Sequence, residues 1–510
     1  MIMEKKNPCI VMVPSPGLSH LIPLVEFAKN LTSFFLHHHK IDNLHVKLLI
    51  PTLGPPSSSM NSILNTKSLP PNITFTLLPQ VNPQDLNITD AKPQPATLMQ
   101  LAVKQSLPFI HQQLTNLTST NHYHLVSIVF SLFSTDVIHL AKEFNLLSYV
   151  FFASGASFLS FCLHLPHLDE QQQQQHDDDD ESFLFHHQFT ETNGNNGVHI
   201  PGCPVPFQVQ DFPAPVLYQR SSQAYKSFLG VCREYSLVDG VIVNTFTDLE
   251  SDAIKAIEDQ AKTRNNNANS PFVYPIGPLI QTATTNQVNR LECLTWLDNQ
   301  PPKSVLYISF GSGGTVSQEQ LNEIAFGLEL SGNKFLWVLR APNSFGGSAY
   351  LKEQKEDPLH YLPSGFLDRT KGQGLVVTSW APQVEILAHG STGGFLTHCG
   401  WNSILESVVY GVPMIAWPLF AEQSMNAVLL KDVLKVALMP EKAEDEDGII
   451  KREGIANVIM RIMEENKEGL EIRKRIKEFS DAAAAAAISE NGGSSAEAFL
   501  SVAEKFKSRI

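Results

Sequence analysis

Short apolar, β-branched runs alternate along this chain with longer stretches of helical periodicity, and the alternation occurs twice. Residues 9–13, 46–50, 73–78, 125–130 and 240–243 read as buried strands, with helical patterns such as 21–36 and 99–117 between them. The pattern restarts at 304–310 and continues through 334–339, 374–378, 394–397 and 414–417. Strands this apolar need cover on both faces, and the intervening helices supply it. Each series therefore specifies a parallel sheet in an α/β domain. The 510 residues are too many for one core, so two doubly wound domains are expected. Residues 262–271, with Asn265, Asn266, Asn267 and Asn269, lack apolar periodicity and mark the seam.

Composition narrows the partners. A formal charge of −14 argues against nucleic acid. No apolar run reaches the roughly 20 residues of a membrane helix. The run at 9–13 is shorter than the roughly 7–15 apolar residues of a secretory core, so it reads as a first strand. Neither secretion nor stable membrane insertion is expected. The six cysteines are scattered without a C-x-x-C pair and read as free thiols in a reducing, cytoplasmic setting. The N-x-S/T sequons at Asn30, Asn72, Asn87 and Asn116 then read as chance matches. His37, His38 and His39, like His186 and His187, have no Cys or carboxylate at ligand spacing, so no metal is expected. The Gln and Asp runs within about 170–181 cannot pack a core and are expected to be disordered. Alanines 482–487 favour helix.

The chemistry concentrates in 393–411, GGFLTHCGWNSILESVVYG. An apolar strand runs into a Gly-containing turn, and a helix follows with Asn402 or Ser403 as its expected N-cap. Such a strand–turn–helix is an anion site, because free backbone N–H groups and the helix dipole point the same way. His398, Asn402 and Ser403 add side-chain donors, and Glu406 lies one turn on, where it can accept from ribose hydroxyls. Upstream, Trp380 offers a flat face to a base and Ala381 backbone hydrogen bonds. Downstream, Glu422 and Gln423 pair an acid with an amide suited to sugar hydroxyls.

Residues 380–423, opening on Trp380-Ala381-Pro382-Gln383 and closing on Glu422-Gln423, resemble the 44-residue donor box of plant family 1 UDP-glycosyltransferases. The resemblance extends to PSPGLSHLIP at 14–23 and SFGS at 309–312. With HLPHLDE at 164–170, it is closest to the hydroquinone and monolignol glucosyltransferase subgroup. It implies two doubly wound Rossmann-like domains facing a cleft, the GT-B type. Residues 1–262 would bind acceptor, 263–285 link, 286–488 bind the UDP-sugar, and 489–510 form a helix packing back on the first domain. UDP-glucose would be donor substrate, a small phenolic or phenylpropanoid the acceptor, with no further cofactor and a monomeric enzyme. Trp380 would stack on uracil and Ala381 bond its edge. Gln383 and Glu406 would hold the ribose, and Ser312, His398, Asn402 and Ser403 the diphosphate. Trp401, Glu422 and Gln423 would hold the sugar, with Gln423 favouring glucose.

His20 follows the first strand and a Pro/Gly turn, where doubly wound sheets bind ligands, and histidine suits a general base near neutral pH. The family loop implies that it deprotonates the acceptor. Many members support this histidine with a carboxylate at the position that is Ser131 here, which makes His20 and Ser131 the expected catalytic pair. Asp136 matches a different family position. The departure leaves three outcomes: activity on acidic acceptors, support from another carboxylate, or a UDP-sugar-binding protein with weak or lost catalysis. A nicotinamide dehydrogenase would need G-x-G-x-x-G, and Gly311-Ser312-Gly313-Gly314 lacks its third glycine. Acceptor identity, and oxygen against nitrogen or sulfur as the attacked atom, stay open.

Overall fold

The computed structural model describes residues 6–39, 43–56, 58–64, 69–90, 94–120, 122–175, 184, 197–263, 271–281, 292–342, 347–348, 357–378, 380–441, 448–487 and 492–510. The chain forms two compact units. One takes in Met1–Val209, Ala214–Leu279 and Ala486–Ile510, the other Gln210–Pro213 and Ile280–Ala485.

The first unit is built on seven parallel strands: β1 (Asn7–Val13), β2 (His45–Ile50), β3 (Ile73–Leu77), β4 (Tyr123–Ser131), β5 (Leu147–Phe152), β6 (Gly240–Val243) and β7 (Phe272–Pro275). They run in the order β3-β2-β1-β4-β5-β6-β7. Apolar side chains on both faces of β1 are buried, as a covered parallel strand requires. Leu21, Leu24, Phe27, Leu31 and Phe35 of the helix Leu18–His39 enter the main core at helical spacing. Phe499, Val502 and Phe506 of the last helix, Ser494–Lys507, enter the same core.

Two strands escape the sequence pattern. β5 reads Leu-Ser-Tyr-Val-Phe-Phe, an aromatic strand rather than a β-branched one. β7 lies inside the stretch expected to be linker, where four residues ending in proline are too few to show a period. The low-complexity expectation also needs correction, since the helix Ala156–Gln175 carries on through Gln171–Gln175. Its first turn is held by Glu250, which accepts from the N–H groups of Ala156 and Ser157 at 2.8 Å each. A carboxylate there offsets the exposed donors and positive end of a helix. Residues 176–183, His186 and His187 lie outside the described set.

The second unit has six parallel strands: β8 (Val305–Ser309), β10 (Lys334–Leu339), β12 (Gly374–Thr378), β13 (Thr392–Thr397), β14 (Met414–Ala416) and β15 (Ala437–Leu438). Their order is β12-β10-β8-β13-β14-β15, with a separate two-stranded antiparallel sheet of β9 (Gly314–Thr315) and β11 (Gly347–Ser348). β15 is too short to show in the sequence pattern. Alanines 482–486 lie in the helix Lys467–Ala486.

Strand order fixes where ligands can sit. In the first sheet the winding reverses between β1 and β4, and in the second between β8 and β13. Loops leaving the carboxyl ends of such a pair diverge and open a crevice. Residues 14–17 and 132–134 are those loops in the first unit, 310–313 and 398–400 in the second. No helix among the described residues is long and apolar enough to cross a membrane. Nor do three or more His, Cys, Asp or Glu side chains among them form a possible metal cluster.

Candidate functional site

The turn after β13 places Cys399 at φ 63° and Gly400 as N-cap of the helix Trp401–Val409. The left-handed region is costly for a non-glycine residue, so neighbours must hold it. Thr397 Oγ1 accepts from the Cys399 N–H at 3.2 Å, and Asn426 Nδ2 donates to the Cys399 carbonyl at 3.0 Å. The sequence reading placed the cap at Asn402 or Ser403. The helix starts earlier, at Trp401, because the glycine supplies the extended backbone a cap needs. No side chain caps this end. A helix start without a side-chain cap is where an anion can approach, with the dipole behind it.

His398 faces the loop after β8. A β-carbon added at Gly311 would lie 2.6 Å from its Cε1, and one at Gly400 would lie 2.4 Å from its Nε2. Both glycines therefore let the backbone lie flat against the imidazole, and Gly311 also has φ 72°. Burial pushes His398 down to about 4, so it is neutral at physiological pH. Ser312, next to Gly311, is exposed. An anion at this helix start would meet backbone N–H groups, a neutral imidazole and the Ser312 and Ser403 hydroxyls.

Gln383 opens the short helix Gln383–Leu387 and reaches across to the helix Trp401–Val409. Its Nε2 donates to Ser403 Oγ at 2.9 Å and to Glu406 Oε2 at 2.8 Å. Tyr307 of β8, stacked on Phe395 of β13 at 5.0 Å, donates its hydroxyl to Gln383 Oε1 at 3.4 Å. Burial pushes the Glu406 carboxyl up to about 7; the Gln383 hydrogen bond lowers it and Glu385 raises it. Trp380 follows β12 and is 60 % exposed, the most exposed tryptophan face a base could use. Its N–H bonds to the Thr378 carbonyl at 2.9 Å, and Ala381 beside it is buried.

The far end of the segment divides its labour. Gln423 is 4 % exposed, and its Oε1 accepts from the Leu419 and Phe420 N–H groups at 2.9 and 3.0 Å. Only its amide hydrogens can serve a sugar; its oxygen shapes the turn. Glu422 is half-buried at the start of the helix Gln423–Val428. Trp401 is 2 % exposed, so its indole belongs to the core. Asn402 is half-buried in that same first turn.

In the first unit, Gly17 (φ 123°) accepts from the N–H groups of His20 and Leu21 and starts the helix that carries His20. His20 is 8 % exposed, its Nδ1 has no hydrogen-bond partner, and burial pushes it down to about 4. The edge of Phe133 meets its ring at 5.7 Å and 79°. Ser15 Oγ accepts from the Phe133 N–H at 3.1 Å and lies 3.0 Å from Ser134 Oγ, tying the two crevice loops together. Ser131 ends β4, fully buried, and its Oγ has no partner. His20 and Ser131 therefore make no hydrogen bond with one another. Asp136 interacts with Lys104, Gln100 and His139, and its Oδ2 is buried without a hydrogen-bond partner.

Sequence reading missed Tyr307, Asn426, Thr397, Ser15 and Phe133. Ser15 and Thr397 lie inside named motifs without a role of their own, and Asn426 lies one turn past Gln423, so proximity in sequence was their only signal.

A family profile described as "UDP-glucoronosyl and UDP-glucosyl transferase" matches residues 267–466. Hydroquinone glucosyltransferase of Rauvolfia serpentina is 46 % identical over 508 residues, 99 % of either chain. UGT2 of Phytolacca americana, solved with UDP-2-fluoro-glucose and pterostilbene, superimposes with TM-score 0.80 at 41 % identity, over 99 % of this chain and 100 % of that one. A Polygonum tinctorium UDP-glucosyltransferase capable of glucosylating indoxyl gives TM-score 0.83 at 41 % identity, over 99 % of each chain. With its paired parallel α/β units of GT-B class, the chain belongs to the plant family 1 UDP-glycosyltransferases.

Proposed function

We propose that this enzyme transfers glucose from UDP-glucose to a hydroxyl of a small phenolic or phenylpropanoid acceptor, inverting the anomeric centre, with His20 as general base. The observation that carries the donor half is the helix start at Gly400–Trp401, which has no side-chain cap and lies against His398. Trp380 would stack on uracil and Ala381 bond its edge. Glu406, held by Gln383, would accept from the ribose hydroxyls. The N–H groups of the first turn, with Ser312, His398, Asn402 and Ser403, would take the diphosphate, and Glu422 with the Gln423 amide the glucose. The acceptor class draws its support from the relatives, whose names specify hydroquinone, indoxyl and pterostilbene.

In the reaction, the acceptor oxygen attacks the anomeric carbon as the bond to the β-phosphate oxygen breaks. The sugar passes through an oxocarbenium-like state. The acceptor proton goes to His20, whose neutral imidazole is ready to receive it at physiological pH. Charge developing on the departing diphosphate is stabilised by the helix start, a preorganised set of donors. The six free thiols support a reducing compartment, the cytoplasm. Incubation with labelled UDP-glucose and a phenolic panel tests the proposal. UDP release with a labelled glycoside is expected, and UDP-glucose binding without turnover would overturn it.

A further inference from the structure

We propose that this enzyme is confined to acceptor hydroxyls of phenolic acidity, and that on an acceptor carrying both kinds it glucosylates the phenolic hydroxyl and spares the aliphatic one, because His20 works without a counter-charge. The proposal rests on the glucosyl-transfer reading above and narrows its substrate class.

Phe133 meets the His20 ring at 5.7 Å and 79°, and a β-carbon added at Gly17 would lie 3.8 Å from His20 Cδ2, 3.7 Å from Met99 Cε and 3.9 Å from Ser19 Oγ. β1 and β4 pair Val13 with Phe130, so Ser131 is the next residue on β4, beside the turn that leads to His20. Ser131 is uncharged, and its Oγ and the His20 Nδ1 are both buried without partners. Asp136, the next acid along the chain, interacts with Gln100, Lys104 and His139, its Oδ2 is buried without a hydrogen-bond partner, and it makes no hydrogen bond to His20 Nδ1. Among the described residues, no carboxylate hydrogen-bonds His20 Nδ1. Phe133, tied down by Ser15, steadies the ring by packing rather than by charge.

Transfer converts neutral imidazole into imidazolium while the oxygen–carbon bond forms and the carbon–phosphate-oxygen bond breaks; the proton then leaves to solvent. A buried cation without a partner is costly. An acceptor that gives up its proton easily offsets that cost. A phenol ionises near about 10, as tyrosine does, while an aliphatic alcohol lies close to the roughly 15.7 of water. Acidic oxygens can attack with little positive charge yet on the ring, whereas aliphatic ones depend on full proton transfer.

The test uses the full-length enzyme, UDP-glucose and 4-hydroxybenzyl alcohol, which carries both hydroxyls on one ring. Product regiochemistry by NMR should show glucose on the phenolic oxygen by on the order of 100-fold or more, since an acid partner to a catalytic histidine is worth up to about 10⁴. Ser131→Asp should raise kcat/KM on benzyl alcohol by about tenfold or more, and the neutral isostere Ser131→Asn should not. Comparable phenolic and benzylic products from the wild type, or equal gains from the Asp and Asn variants, would overturn the inference. If Ser131→Asp fails to fold, the wild-type regiochemistry decides alone. Absence of transfer to every hydroxyl would instead remove the glucosyl-transfer reading itself.

Discussion

Gln383 Nε2 lies 2.8 Å from Glu406 Oε2, joining the residue that opens one short helix to a carboxylate on the next. The same amide group bonds Ser403 Oγ at 2.9 Å. One side chain thus sets both the acid assigned to ribose and a hydroxyl assigned to phosphate.

Glu406 makes donor binding depend on pH. Burial raises its carboxyl to about 7, and ribose hydroxyls donate to the ionised form. Binding therefore favours the carboxylate and releases a proton when pH is below about 7. Affinity should fall as pH drops through 7, by up to about tenfold per unit below it. Calorimetry with uridine, which has no phosphate to titrate, checks this. Glu406→Gln should bind more weakly and show a flat profile.

Gly311 is required by the His398 ring. In Gly311→Ala the new methyl would meet Cε1 at 2.6 Å, on backbone already at φ 72°. Left-handed backbone costs alanine about 1–2 kcal/mol, which the fold should survive. The displaced imidazole should raise the donor KM by about tenfold. Circular dichroism and steady-state kinetics separate the two effects.

Gln423 acts first through its oxygen. Gln423→Ala leaves the Leu419 and Phe420 N–H groups without their acceptor, at a cost of about 1–3 kcal/mol. Gln423→Glu keeps the acceptor and loses the donor. Thermal melts should therefore single out the Ala variant, while both variants should show a raised donor KM.

Asp169 is a buried hub of the first unit. It accepts from Arg220 at 2.7 Å, Tyr225 at 2.6 Å and Arg233 at 3.1 Å. Asp169→Ala strands a buried guanidinium and should cost about 3–5 kcal/mol. Urea unfolding followed by fluorescence would show it, with UDP affinity at the second unit unchanged.

Most of the proposed donor site was legible because its residues are contiguous. Residues 380–423 hold the proposed base platform, the helix start and the proposed sugar end in one stretch, and the β8–β13 reversal sets the 310–313 loop beside it. What stayed hidden is non-local or conformational. The cap at Gly400 depends on Cys399 adopting φ 63°, which Thr397 and Asn426 stabilise from either side in sequence. Asp169 served in the sequence only as part of a subgroup fingerprint; Arg220, Tyr225 and Arg233, which it holds, lie 51 to 64 residues away and carry no local signal. β7 was hidden by its four-residue length behind an Asn-rich run. Ser131 was legible as a departure, but only the structure shows that it leaves the His20 Nδ1 without a hydrogen bond.

The central claim is that His20 performs the proton transfer while the second unit holds the donor. The most direct measurement is glucosylation of hydroquinone by His20→Ala, with UDP affinity determined on the same sample. The account predicts a fall in kcat of at least about 10²–10⁴-fold with UDP affinity unchanged. Turnover within a few-fold of wild type would contradict it.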